Sequence, residues 1–108
     1  MDLGLKDATA VVVGGGRGMG LAAARCLADH GARVALVGRN RAVLDSATAD
    51  LSLRGSPDAV ALVADAEDEQ QVQRVFEEIS DRWGGELNIL IDTVGPTRAS
   101  QHQRRWRQ

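Results

Sequence analysis

Short runs apolar on both faces alternate along this chain with longer stretches whose apolar positions recur every three to four residues. The first run, Thr9 to Val13, empties into glycines and then into a predicted helix from Gly18 to His30, whose interior is mostly Ala and Leu. Gly31 ends that helix before a second apolar run, Arg33 to Val37. Asn40 has the chemistry of an N-cap and opens a helix expected to reach about Leu53, with Val43, Leu44, Ala47 and Leu51 on one stripe. Gly55-Ser56-Pro57 breaks it, and a third run covers Ala59 to Ala64. The next helix is expected to start at Glu67, Asp68 and Glu69, because acids suit the positive end of a helix dipole. It carries Val72, Val75, Phe76, Ile79 and Trp83 at helical spacing until Gly84-Gly85 stops it. Leu87 to Val94 reads as a fourth strand, ending at Gly95-Pro96.

Strands apolar on both faces belong in a parallel sheet covered by helices. Strict alternation with right-handed crossovers then predicts an α/β, doubly wound sheet of about four strands in the order 3-2-1-4. Its first two crossover helices are expected on one face and the third on the other. A chain of 108 residues allows one domain, and at that size about 60–70% of the unfolded surface is buried. The sheet is thus incomplete: one mononucleotide-binding half, assigned to residues 1–97, without internal repeats. Acids and bases are interspersed and sum to −2, which makes no electrostatic case for nucleic acid or an anionic membrane as partner. Cys26, the single cysteine, excludes an internal disulfide, and no apolar stretch approaches a membrane span or an export leader, so a cytoplasmic location is expected. It is expected to be a packed core thiol in its small-residue helix.

The most informative segment is Ala10 to Gly20, Ala-Val-Val-Val-Gly-Gly-Gly-Arg-Gly-Met-Gly, where a buried strand passes through glycines into a helix. Side chains at Gly14, Gly18 and Gly20 would obstruct a tight turn, close approach of a pyrophosphate, and packing of the helix on the strand. The helix N-terminus then offers free N–H groups and a positive dipole end to an anion. A Walker loop needs Lys-Ser/Thr after its last glycine, whereas Leu21-Ala22 follow Gly20. The spacing G-x-G-x-x-G also fails, since Met19 and Leu21 occupy the completing positions. What fits is Gly-x-x-x-Gly-x-Gly from Gly14. In this the chain resembles the short-chain dehydrogenase/reductase family, whose loop reads Thr-Gly-x-x-x-Gly-Ile-Gly, with Val13 and Met19 at the Thr and Ile positions. The resemblance implies a Rossmann-like fold, a dinucleotide cofactor, and oxidoreduction.

An acid at the end of the second strand of such folds accepts hydrogen bonds from the adenosine ribose, and a base there tolerates a 2′-phosphate. Here the segment is Gly38-Arg39-Asn40. Arg39 can contact a phosphate bidentately, and Arg17 in the loop adds a second positive charge. The resemblance implies that bases at these two positions accompany NADP(H) preference over NAD(H); the alternative is that both arginines are simply solvated. Asp65-Ala66 resembles the family's Asp-Val/Leu pair, which meets the adenine; Asp65 also suits a helix N-cap, and the two roles are compatible. Leu87 to Gly95 resembles Leu-Asp-Ile-Leu-Val-Asn-Asn-Ala-Gly. It departs at both asparagines: Asp92, counted with the cofactor-binding residues, cannot donate as an amide would, while Gly95 keeps the close backbone approach.

Reducing a carbonyl requires a proton donor as well as a hydride. The resemblance implies a tyrosine with a lysine four residues later and a serine upstream. This chain has no tyrosine, and its only lysine is Lys6, so no catalytic residue is assigned. Cys, His and acids show no metal-ligand spacing, and His30 at a helix end suits the negative dipole end. Residues 98–108 hold four Arg, three Gln and Trp106 without a period, and are expected to be a disordered, solvated or out-of-frame tail; a nucleic-acid-binding tail is the weaker reading. The leading expectation is therefore an NADP(H)-binding part of an oxidoreductase, truncated before its catalytic residues. A stand-alone nucleotide-binding or regulatory module without catalysis is the second. An uncovered fourth strand predicts self-association.

Overall fold

The computed structural model describes residues 4–93. Strands β1 (Thr9–Val13), β2 (Arg33–Gly38), β3 (Ala59–Val63) and β4 (Ile89–Asp92) alternate with helices α1 (Gly18–Asp29), α2 (Arg41–Arg54) and α3 (Glu69–Trp83). All strand pairs are parallel and the sheet order is β3-β2-β1-β4, as the alternation predicts. In register, Val11 faces Ala35 of β2 and Leu90 of β4, so β1 lies at the centre, where the strand order reverses.

Alternate residues of the central strands feed two cores, because successive strand side chains point to opposite faces. Ala10, Val12, Val34 and Leu36 meet Ala24, Leu27 and Ala28 of α1 and Leu44, Ala47 and Leu51 of α2. Val11, Val13, Ala35 and Val37 meet Val75, Ile79 and Trp83 of α3. The first two helices thus cover one face and the third covers the other. Leu36, Leu44 and Leu51 are fully buried, each stabilising the fold by about 2 kcal/mol through apolar burial.

Cys26 departs from expectation: it is exposed. The buried face of α1 is Gly20, Ala24, Leu27 and Ala28. Cys26 follows Ala24 by two positions, which at 3.6 residues per turn sets it about 200° round the axis, away from the sheet. Helix α3 also begins later than its acids suggest. Asp68 is the N-cap, accepting from the N–H groups of Gln70 and Gln71, so Glu67 precedes the helix. The fourth strand is shorter than the apolar run, and the expected strand end at Val94, with Gly95 and the arginine-rich tail, lies outside the described residues.

Candidate functional site

The turn from β1 to α1 lies at the carboxyl end of the sheet, at its switch point, where open α/β sheets bind ligands. Gly14 leaves the strand with φ of 81°, and its N–H donates to Val37 O at 2.7 Å, tying the turn to β2. Gly18 begins α1 at φ of 57° with open space where a Cβ would stand. A Cβ on Gly20 would lie 2.5 Å from Gly14 O and 3.0 Å from Gly15 Cα, closer than any backbone can yield cheaply. Gly14 thus makes the turn, Gly20 allows α1 to pack on it, and Gly18 leaves the space between them open.

Two further glycines escaped the sequence reading. A Cβ on Gly15 would sit 2.7 Å from Leu36 Cδ2, and one on Gly16 would sit 2.8 Å from Val43 Cγ1. Both contacts come from β2 and α2, distant in sequence, and only the run of three consecutive glycines hints at them.

Helices α2 and α3 have side-chain caps, Asn40 accepting from Val43 N at 3.1 Å and Asp68 from Gln70 N at 3.0 Å. Arg17 stands at the N-cap of α1 and makes no such bond. The leading N–H groups of α1 are therefore left for water or an anion. Met19, in that first turn, is 84% exposed.

Gly14, Gly16 and Arg17 share a cleft of about 300 Å³ with Gly38, Arg39, Asn40, Val43 and Leu44. Arg17 and Arg39 are both exposed, and among the described residues neither pairs with a carboxylate. No acid lines the cleft. A positively charged recess between a glycine turn and the end of β2 can hold a phosphorylated ribose.

The remaining predicted residues do not line that cleft. Asp65 follows β3, half-buried; its Oδ1 accepts from Glu67 N at 2.9 Å and its N–H donates to Gln71 Oε1 at 2.8 Å. It turns the chain toward α3 without capping it, since Asp68 does that. Ala66 is half-buried beside it, packed against the α3 core. Asp92 is half-buried and pairs in register with Val13, at the base of the glycine turn. Gly95 lies outside the described residues. Thr93, beside Asp92, donates from Oγ1 to Val13 O at 2.9 Å. Among the described residues no group of three metal-ligating side chains occurs, and no helix is long and apolar enough to cross a membrane.

The model of the short chain dehydrogenase family matches residues 8–107. A 3-oxoacyl-[acyl-carrier-protein] reductase of Bos taurus is 39% identical over 92 residues, covering 85% of this chain and 37% of the relative. A tropinone reductase homolog of Arabidopsis thaliana is 37% identical over 91 residues, 84% of this chain and 34% of the relative. L-sorbose reductase from Gluconobacter frateurii, solved with NADPH and L-sorbose, superposes with a TM-score of 0.82 at 30% identity, over 88% of this chain and 36% of that one. NAD+-bound xylitol dehydrogenase gives 0.75 at 29% identity, over 80% of this chain and 32% of that one. The chain spans about a third of the length of these proteins.

Proposed function

The chain belongs to the short chain dehydrogenase family, and on that premise we propose that it binds NADP(H) as the cofactor-binding unit of an oxidoreductase. The observation that carries the reading is the acid-free cleft joining Arg17 to Arg39. The cradle fits a dinucleotide, because Gly18 leaves open space where a Cβ would stand and α1 lacks a side-chain cap. Gly14, Gly18, Met19 and Gly20 would hold the pyrophosphate through backbone, Arg17 and Arg39 the 2′-phosphate, and Asp65 with Ala66 the adenine. Asp92 and Gly95 would flank the cofactor from the end of β4. When bound, the cofactor supplies a hydride to an oxidised carbon or takes one from a reduced carbon. What these residues contribute is affinity, orientation and a choice between NADPH and NADH. That L-sorbose reductase was solved with NADPH supports the reading, and the NAD+ of xylitol dehydrogenase shows that the family resemblance alone does not choose.

Within its 108 residues the chain has no tyrosine to protonate an alkoxide, which favours, as the second reading, a nucleotide-binding or regulatory module. Among the described residues β4 is an edge strand, and under both readings it is the edge along which a second copy would pair.

Titration of the chain with NADPH and with NADH, followed by cofactor fluorescence, tests the proposal. Tighter binding of NADPH is expected, and Arg39→Asp is expected to weaken it at least about tenfold by replacing a charge-assisted contact with repulsion. An unchanged preference in Arg39→Asp removes the 2′-phosphate assignment. Saturable NADPH binding by a well-folded, soluble chain favours the module reading.

A further inference from the structure

The end of β4 reaches the glycine turn through one side chain. Thr93 Oγ1 donates to Val13 O at 2.9 Å and lies 3.4 Å from Gly14 O, while Thr93 N donates to Val13 O at 3.1 Å. The peptide of Gly14 is thereby approached from three elements. Its N–H is bound by Val37 O of β2, its carbonyl is reached by the Thr93 hydroxyl, and the same carbonyl sits where a side chain on Gly20 of α1 would fall. Gly14 has φ of 81°, a conformation that leaves a glycine free to move unless its neighbours restrain it. Val13 carries no hydroxyl with which β1 could make an equivalent side-chain bond, so this restraint comes from β4.

We infer that Thr93 is a positioning residue for the dinucleotide loop, fixing the carbonyls of Val13 and Gly14 so that the loop is preorganised for phosphate before the cofactor arrives. The inference rests on the proposed dinucleotide site and names a residue that controls it without touching the cleft, since Thr93 is not among the residues lining it. A loop held in its binding conformation loses less entropy on binding, so loss of the hydroxyl weakens affinity more than it disturbs the buried sheet.

Thr93→Val keeps the branched shape and removes the donor; Thr93→Ser keeps the donor. In the full chain, NADPH affinity is expected to fall about three- to tenfold in Thr93→Val and to stay within about twofold in Thr93→Ser, the range of one neutral hydrogen bond. Amide hydrogen exchange at Gly14, Gly15 and Gly16, measured without cofactor, is expected to speed up in Thr93→Val alone, with β1 and β2 core amides unchanged. Equal affinity and equal loop exchange in the two variants overturns the inference. Absence of NADPH binding in the unaltered chain defeats the proposed function instead, and loop exchange then decides the inference by itself. Thr93→Ala removes the hydroxyl with no added bulk and gives the same decision should Thr93→Val fail to fold.

Discussion

The two ends of the parallel sheet treat their arginines in opposite ways. At the amino end, Arg82 donates from Nε and Nη2 to both oxygens of Asp58 at 2.8 and 2.7 Å, and Trp83 Nε1 adds a third bond at 2.9 Å. Arg33 lies 5.9 Å from the centre of the Trp83 ring and donates to Asp7 O at 2.7 Å. Thr9 and Asn88 close the same end, exchanging bonds between backbone and side chain across β1 and the start of β4. At the carboxyl end, Arg17 and Arg39 share a cleft that no acid lines. Charge neutralised inside the fold stabilises it; charge left without a counterion is available to a ligand. The Arg82–Asp58 pair thus sits at one end of the strands and the unpaired Arg17 and Arg39 at the other.

The sharpest way to break this contrast is to act on the glycine turn itself. Gly20→Val places a branched side chain against Gly14 O and Gly15 Cα, both backbone atoms that cannot move aside alone. The expected cost is about 3 kcal/mol of stability with loss of measurable NADPH binding, read by denaturant unfolding and by titration. Full retention of cofactor binding in a folded Gly20→Val chain would show that α1 need not pack so closely on β1.

A smaller effect is expected from the amino end, where Asp58→Ala strips Arg82 and Trp83 of their acceptor. Trp83 is buried, so its indole N–H loses its partner in poor solvent contact. Arg82 is half-exposed and recovers hydration, which limits the loss to about 2 kcal/mol, with NADPH affinity unchanged. The bonds from Arg82, followed by that from Trp83, hold the Asp58 carboxyl below the usual carboxylate range. A carboxylate lowered in the folded state stabilises the fold above its unfolded value, and that contribution fades as pH falls through the folded one. The stability gap between the unaltered chain and Asp58→Ala is therefore expected to be full near neutrality and to narrow in strong acid. A gap independent of pH would assign the loss to packing rather than to the ion pair.

The framework of this contrast was legible in sequence because it rests on local alternation. Apolar runs at Thr9, Arg33 and Ala59, and the helical stripes of Leu44 to Leu51 and Val72 to Trp83, give the elements and the strand order. Gly14, Gly18 and Gly20 stand out by spacing alone, and Arg17 and Arg39 by standing at the ends of the first two strands, which the parallel order brings to one cleft. Features set by distant partners were not legible. The crowding at Gly15 and Gly16 comes from Leu36 and Val43, and the exposure of Cys26 from which face of α1 packs on the sheet. The choice of Asp68 over Asp65 as helix cap was hidden among adjacent acids, each of which can bond to an N–H two residues ahead.

The mildest probe lies between α1 and α2, where Asp50 accepts from Arg25 Nε at 2.9 Å and Arg54 Nε at 3.0 Å. Arg54 reaches on to Asp29 at 3.3 Å, so two helices are bridged by a four-membered charge chain. Hydrogen bonds from Arg25 and then Arg54 lower the Asp50 carboxyl, so this link too persists above the usual carboxylate range and fades as pH falls. Yet every member is exposed to water, where ion pairs are screened and side-chain ordering offsets their attraction. Asp50→Asn is expected to lower the melting midpoint by no more than about 2 °C, and about 0.5 M salt to erase most of that difference. NADPH affinity should not change, because the pair stands outside the arginine cleft. A large loss in Asp50→Asn would mean that pairing between α1 and α2 also anchors the fold, and the contrast between the two ends would then describe the site without describing the source of stability.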